Sequence, residues 1–160
     1  ENTKVGVAGD SAGGNLAAIV THELKEKLDY TILIYAWLYL GNDLDSYKEF
    51  SKEAFWLAPQ LLQYCIDCLL DNNKQLALTS KLSPLLNADY CNHPKTLIIT
   101  AELDPLIDEN KIYLEKLKRH SIEAIYREIK GLPHAFFDMV GKAKCKTEAT
   151  DYIREFLENL

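Results

Sequence analysis

The sequence predicts an α/β fold in which a mostly parallel sheet carries helices on both faces. Short runs of β-branched and other apolar residues alternate with segments of helical periodicity along the 160 residues. This alternation is typical of βαβ units, whose crossovers lay helices over a parallel sheet. A chain of this length buries roughly 68–70% of its unfolded surface, so one core is expected.

Four strands and three main helices account for this pattern. The strands are predicted at residues 5–8, 30–37, 96–100 and 122–129, and the helices at about 12–27, after Asp104 and at the end of the chain. Each helix has an apolar stripe at helical spacing, which is predicted to face the core. The three stripes are Leu16, Ile19, Val20 and Leu24; Leu106, Tyr113, Leu114 and Leu117; and Ala149, Ile153, Phe156, Leu157 and Leu160.

Charge and hydropathy exclude several classes of partner. The chain has 18 basic and 24 acidic residues, and its net charge of −6 disfavours binding to nucleic acid or to an anionic lipid surface. The longest apolar stretch, residues 30–40, is far shorter than the ~20 residues that span a bilayer. No membrane span is therefore expected within this segment.

The four cysteines are too few and too irregularly spaced for a disulfide scaffold. Cys65 and Cys68 form a CxxC pair, which could indicate redox chemistry or two metal ligands. They fall in a helical stretch without a second ligand pair, so we interpret them as ordinary helical cysteines and expect no metal site.

The most informative segment is Gly-Asp-Ser-Ala-Gly-Gly-Asn at residues 9–15. It follows a short apolar run and opens onto a helical pattern, which places Ser11 where a strand turns sharply into a helix. This is the context of a GxSxG nucleophile elbow. Side chains at Gly9 and Gly13 are expected to collide with the neighbouring helix and strand, and Ser11 is expected to have a strained backbone.

Together with Asp10, Gly14 and Asn15, this segment resembles the α/β-hydrolase family of the hormone-sensitive-lipase type. Segments similar to that family's later landmarks follow in its order, at residues 83–86, 100–109 and 131–134. The resemblance implies the C-terminal half of a three-layer α/β-hydrolase fold. It also implies carboxylesterase or lipase activity on a small acyl ester, with no metal or organic cofactor.

Ser11, Asp104 and His134 match the family's nucleophile, acid and base, in the chain order of α/β-hydrolases. A serine hydroxyl needs a base to take its proton, and a carboxylate must orient the imidazole. Asp104 and His134 each follow a predicted strand, at the sheet edge where Ser11 lies. Alternatively, Asp104 could cap a helix that begins with Pro105, and His134 could be a turn residue.

Three carboxylates, Glu102, Asp108 and Glu109, crowd Asp104 in the sequence. Oxygen ligands without a supporting histidine argue against a metal. We interpret them as charges at a helix N-terminus.

The family binds the oxyanion with the N–H of the residue after the nucleophile, here Ala12, and with a His-Gly-Gly-Gly loop. No such loop occurs among the 160 residues. The family also usually has His-Gly-Phe at its base, where this chain has His134 followed by Ala135 and Phe136. The missing loop is the graver departure, because it removes oxyanion donors.

The family normally has a region of comparable length before the elbow. The first strand is therefore expected to lack its inner neighbour and to expose open N–H and C=O groups. A missing N-terminal half, or a second chain, is expected to cover it.

An excursion at about residues 38–94 separates the second strand from the third and is too long for a plain crossover. By resemblance it forms part of a lid, with a helix after Pro59. Aromatic residues are candidates for the substrate pocket, namely Trp37, Tyr39, Phe55 and Trp56. The alternative is an ordinary helix packed on the sheet.

The leading hypothesis is a serine esterase that acts through an acyl-enzyme. A non-catalytic ligand-binding relative, with the pocket retained and turnover lost, is the alternative from another class. A third possibility is a truncated piece that folds but is inactive, because the oxyanion loop is missing.

Overall fold

The computed structural model describes residues 3–41, 43–50, 57–71, 73–139 and 144–160. Its centre is a four-stranded sheet of β1 (Gly6–Asp10), β2 (Tyr30–Ile34), β3 (Lys95–Leu103) and β4 (Ala124–Pro133). The strands lie side by side in chain order, and all three pairings are parallel. The predicted parallel sheet is confirmed.

Helices cover both faces of this sheet. They are α1 (Ser11–Leu24), α2 (Asp45–Phe50), α3 (Pro59–Leu70), α4 (Ile107–Arg119) and α5 (Lys144–Glu158). Successive strand residues point to opposite faces, so Leu33 and Ile98 pack with α1 and α4, whereas Ile32 and Leu97 pack with α5. The three-layer α/β architecture is confirmed.

The core-facing side of α1 is not the predicted stripe. The buried residues are small: Gly14, Ala17, Ala18 and Thr21. Leu16 is 64% exposed, and Val20 and Leu24 are also exposed. Small side chains let α1 approach the sheet closely, since a Cβ on Gly14 would lie only 2.5 Å from the Cβ of Ala36. The prediction for α1 was wrong because periodicity does not reveal which of two faces meets the sheet.

The stripe of α4 is confirmed, because all four of its residues are buried. In α5, Ala149 and Phe156 are buried, whereas Leu157 is exposed. No helix in the described part of the chain is both long and apolar enough to cross a membrane.

Strand β1 lies at one edge of the sheet. Among the described residues it pairs only with β2, and Val5 just before it is 54% exposed. The exposed apolar side chains of α1 lie on the helix that directly follows this strand. β1 and α1 thus form an open flank of the molecule.

The long connection between β2 and β3 builds a cluster of its own. Its buried members are Trp37, Leu40, Tyr47, Leu62, Ile66, Leu70, Ala77 and Leu106. Leu106 follows β3 and Trp37 follows β2, so this cluster sits over the carboxyl ends of the strands. Helix α3 contributes three of its residues and exposes Cys65 and Cys68. Whether this region acts as a lid stays a prediction.

Candidate active site

The carboxyl ends of the four strands meet at one edge of the sheet. The residues that follow them in chain order are Ser11, Tyr35, Asp104 and His134. Leu103 pairs with Pro133 across β3 and β4, so Asp104 and His134 leave the sheet side by side. Ser11 leaves from β1, at the far side of β2. The site therefore spans the width of the sheet.

Hydrogen bonds join the three side chains in one series. Ser11 Oγ lies 2.8 Å from His134 Nε2, and His134 Nδ1 lies 2.8 Å from Asp104 Oδ2. Asp104 is 1% exposed and His134 is 4% exposed, whereas Ser11 is half-buried. The carboxylate is thus shielded from water while the hydroxyl is accessible.

The second oxygen of Asp104 organises the start of α4. Asp104 Oδ1 accepts a hydrogen bond from the N–H of Leu106 at 2.8 Å, and the Asp104 carbonyl accepts one from Ile107. Helix α4 begins at Ile107 with Leu106 at its N-cap, so the alternative that Asp104 caps a helix beginning with Pro105 was wrong. One carboxylate stabilises a turn with one oxygen and contacts the imidazole with the other.

The turn at Ser11 has the strained backbone that was predicted for a nucleophile elbow. Ser11 has a φ of 50°, a left-handed conformation that non-glycine residues rarely adopt. A Cβ on Gly9 would overlap the Gly13 carbonyl group, so only glycine fits there. The expectation for Gly13 was wrong, because a Cβ there would meet only Asp10 Oδ1, at 3.7 Å. Gly14, which lies against Ala36, is the second crowded glycine.

The peptide that joins Ser11 to Ala12 is fixed by a neighbouring segment. The N–H of Trp37 donates a hydrogen bond to the Ser11 carbonyl at 3.0 Å. Helix geometry leaves the N–H of Ala12 without an intrahelical acceptor at the start of α1. This N–H directly follows Ser11 in the chain, and its role as an oxyanion donor stays a prediction.

Tyr35 is a site residue that the sequence did not reveal. Its ring is fully buried and lies 4.8 Å from the His134 ring, centroid to centroid. It has a φ of 35°, so the backbone turns sharply where β2 ends. The two rings are tilted by 60° to each other. The sequence predicted a strand through residue 37, whereas β2 ends at Ile34, so no sequence signal placed Tyr35 beside His134.

The carboxylates around Asp104 do not share one role. Glu102 lies in β3, where it accepts hydrogen bonds from the N–H of Gly131 and the Lys130 ammonium. Its interpretation as a helix N-terminal charge was therefore wrong. Glu109 lies in the first turn of α4, as expected, but it is fully buried. Burial raises the pKa of the Glu109 carboxyl well above its usual range.

A family model described as alpha/beta hydrolase fold matches residues 1–138 of the chain. The chain belongs to this family. The resemblance that the elbow and the later landmarks predicted is thus confirmed.

Named relatives of this alpha/beta hydrolase are esterases. An arylesterase of Saccharolobus solfataricus is 26% identical over 163 residues, a match that covers 100% of this chain and 52% of the arylesterase. A solved esterase of Rhizomucor miehei has a TM-score of 0.89 at 30% identity and is matched over 99% of this chain and 50% of its own. For an esterase of Pyrobaculum calidifontis the TM-score is 0.85 at 34% identity, over 95% and 51% of the two chains.

The chain spans about half the length of the curated relatives it matches. The four-stranded sheet is therefore compared with only part of each of those proteins.

The four aromatic residues predicted for the substrate pocket have different outcomes. Trp37 is buried in the cluster over the strand ends, and its indole N–H donates to the Tyr39 carbonyl at 3.1 Å. Tyr39 is half-buried against the cluster that contains α1 and α4. Phe55 and Trp56 lie outside the described residues. A role of Trp37 and Tyr39 in substrate binding stays a prediction.

Ala135 occupies the position at which the family usually has glycine. Its φ is 58°, in the left-handed region. The chain therefore keeps the backbone turn after His134 without glycine, at a cost of roughly 1–2 kcal/mol.

Proposed function

We propose that the protein containing this chain is a serine carboxylesterase in which Ser11, His134 and Asp104 act as nucleophile, base and acid. The observation that carries the proposal is the unbroken hydrogen-bond series from the Ser11 hydroxyl to the buried Asp104 carboxylate. Esterase names among the relatives agree with it. The expected substrate is a small carboxylic ester.

Acylation uses the Ser11 hydroxyl and the imidazole together. His134 Nε2 takes the hydroxyl proton while Ser11 Oγ attacks the acyl carbon. The negative charge that develops on the substrate carbonyl oxygen is bound by the N–H of Ala12, and Asp104 stabilises the imidazolium. The tetrahedral intermediate then breaks its bond to the alcohol, which leaves with the proton from His134.

Deacylation repeats these roles with water as the nucleophile. His134 takes a proton from water, the resulting oxygen attacks the acyl-enzyme, and Ser11 Oγ leaves and recovers its proton from the imidazolium. The products are a carboxylic acid and free enzyme.

One N–H is not a complete oxyanion hole. The family's glycine-rich loop has no counterpart in the sequence of the chain, so we propose that a further segment or a second chain supplies it. The same element would pair with the free edge of β1. In this proposal, one element both covers the open flank and completes the oxyanion hole.

Covalent labelling tests the assignment of the nucleophile. The full-length protein is treated with an aryl phosphonate ester, which transfers its phosphonyl group to an activated serine hydroxyl. We expect one label per chain, located on Ser11 by peptide mass spectrometry, with loss of activity on a short-chain aryl ester. A protein that binds ligand without turnover would remain unlabelled.

Substitution separates the chemistry from folding. Ser11→Ala is expected to lower kcat by about 10⁵-fold or more, because the covalent route is lost. Ser80→Ala changes an exposed serine away from the site and serves as the matched control. Labelling of another serine, or near-normal activity of Ser11→Ala, would refute the proposal.

A further inference from the structure

The segment at residues 36–40 is buried although it belongs to neither a helix nor a strand. The segment therefore has no helical or strand hydrogen bonds of its own. Buried N–H and C=O groups are costly when they lack partners, so other parts of the chain must supply them.

Polar side chains from three separate regions hold this backbone. Asn110 donates to the Ala36 carbonyl at 2.8 Å, and Asn15 donates to the Trp37 carbonyl at 2.7 Å. Ser83 Oγ accepts from the N–H of Leu40 at 2.8 Å. Asn15 and Ser83 belong to the segments that carry the family resemblance, so the structure gives these two residues a physical task.

Glu109 makes the densest set of these contacts. Its Oε1 accepts hydrogen bonds from the N–H groups of both Leu38 and Tyr39, the second at 3.1 Å. Its Oε2 lies 2.8 Å from the Tyr47 hydroxyl, which also lies 3.2 Å from the Tyr39 carbonyl. One carboxyl group thus connects α4, α2 and the segment at residues 36–40.

The contacts around Tyr47 accommodate a proton on Glu109. The Tyr47 hydroxyl has one proton but lies between two acceptors, Glu109 Oε2 and the Tyr39 carbonyl. A proton on Oε2 would donate to the Tyr47 oxygen and free the tyrosine proton for the carbonyl. Burial, which raises the pKa of Glu109, favours this arrangement.

The same segment reaches the nucleophile through one backbone bond. The N–H of Trp37 donates to the Ser11 carbonyl at 3.0 Å. No cis peptide occurs in the described residues, and in a trans peptide the C=O and the following N–H point in opposite directions. Fixing the Ser11 carbonyl therefore fixes the direction of the Ala12 N–H.

We propose that Glu109 is a positioning residue that, in its neutral form, holds residues 37–39 and thereby aims the Ala12 N–H at the oxyanion. This inference rests on the proposed esterase function. Glu109 touches no reacting atom. It acts through Trp37 and the peptide between Ser11 and Ala12.

The first test compares two substitutions at position 109 in the full-length protein. Glu109→Ala is expected to lower kcat by about 10–100-fold with KM changed less than about threefold, since complete loss of an oxyanion donor costs ~10²–10³. Glu109→Gln is expected to retain at least about one third of kcat, because an amide oxygen accepts both N–H bonds and its NH₂ group donates to Tyr47. If Gln is as damaging as Ala, the neutral form is refuted.

Two controls separate positioning from general stability. Phe156→Leu alters the cluster on the opposite face of the sheet and is expected to lower the thermal midpoint while kcat of the folded enzyme stays normal. Asn15→Ala removes another anchor of Trp37 and is expected to lower kcat by about tenfold at nearly constant KM. It also supplies the test if Glu109→Ala does not fold. Normal kcat in Asn15→Ala, or an equal loss of kcat in Phe156→Leu, would overturn the proposal.

A second readout does not depend on activity. In the Ser11→Ala background, Glu109→Ala is expected to accelerate amide hydrogen exchange of peptides that contain residues 37–39 by about tenfold or more, whereas Glu109→Gln is not. Unchanged exchange would overturn the anchoring role. Faster exchange in this background would keep the anchor, whereas absence of esterase activity and of phosphonate labelling in the parent protein with Ser11 intact would refute the esterase.

Discussion

The carboxyl edge of the sheet and the open flank formed by β1 and α1 differ in how completely this chain builds them. At the edge, Asp104 and His134 are buried, and both carboxylate oxygens and both ring nitrogens have partners. At the flank, β1 has a partner on one side only within the described residues, and α1 exposes large apolar side chains. Ser11 belongs to both regions. Its hydroxyl contacts His134 at the carboxyl edge of the sheet, and its backbone directly follows β1, which has one free side.

The comparison shows that orienting a catalytic hydrogen bond and supporting its backbone are separate structural tasks. Pairing of Leu103 with Pro133 brings Asp104 and His134 together at the ends of two adjacent strands. Ser11 directly follows an edge strand, where local opening is easiest. A chain can therefore bring the three side chains of the proposed triad together and still lack support for the backbone of one of them.

The largest expected effect comes from removing everything outside residues 1–160. The isolated chain is expected to hydrolyse a short aryl ester at least about 10²–10³-fold more slowly than the full-length protein, because each missing oxyanion donor typically costs that much. The free edge of β1 should reduce the rate further by loosening Ser11. The measurement is kcat of both proteins under matched conditions. Comparable rates would mean that other residues of the chain complete the oxyanion hole.

The substitution Asp104→Asn tests the proposed triad at the carboxyl edge of the sheet. We expect kcat of the full-length protein to fall about 10⁴-fold, since an amide favours the wrong imidazole tautomer. Folding should persist, because an amide oxygen can still accept the N–H of Leu106. Asp67→Asn, at an exposed position of α3, is the matched control and should keep normal kcat. Retention of most activity by Asp104→Asn would remove Asp104 from the mechanism.

Low pH is expected to destabilise the protein through two histidines that contact Tyr113. His22 and His93 both contact the Tyr113 hydroxyl, and burial lowers the pKa of each histidine from 6.5 to about 4. The unfolded state binds more protons between these values, so stability is complete above pH 6.5 and falls as the pH drops toward 4. The slope should reach about 1.4 kcal/mol per pH unit for each histidine.

Urea unfolding of the full-length protein at pH 7, 6 and 5 measures this slope. His93→Asn should reduce it, whereas replacement of exposed His120 by Asn should not. A free energy of unfolding that is flat over this range would contradict the buried, uncharged state of the pair.

The smallest effect should come from the outer side of α1. Leu16→Gln is expected to change the free energy of unfolding of the isolated chain by less than about 0.5 kcal/mol, as exposed substitutions do. In the full-length protein the same change should cost about 1.5–3 kcal/mol if the missing element buries this leucine. Leu69→Gln, at an exposed position of α3, should change the free energy of unfolding by less than about 0.5 kcal/mol in both the isolated chain and the full-length protein. Equal effects of Leu16→Gln in both proteins would show that the flank stays open.

The sequence was most informative where chemistry restricts the choice of residue. GDSAGGN at residues 9–15 indicated the family, and the alternation of strand and helix segments predicted the parallel sheet. It was less informative where two interpretations share one pattern. The apolar stripe of α1 faces outward because small residues on its other side allow a closer approach to the sheet, and spacing alone cannot rank those two faces.

Buried polar residues were the other gap. In the sequence, Glu109 is typical of an acidic residue in the first turn of a helix. Only the fold reveals that its carboxyl group accepts hydrogen bonds from the N–H groups of Leu38 and Tyr39. Tyr35 likewise gains its contact with His134 from strand order. Such contacts join residues that are far apart in the chain, so the local sequence pattern does not predict them.

The anchors of residues 36–40 bind peptide groups rather than side chains. Asn15, Ser83 and Glu109 would make the same bonds with any residue at position 39 except proline, which has no N–H to donate to Glu109. Position 39 can therefore be varied among the other amino acids while these backbone bonds persist. If Tyr39 lines the proposed substrate pocket, position 39 is accordingly a good starting point for a library that selects new ester specificities.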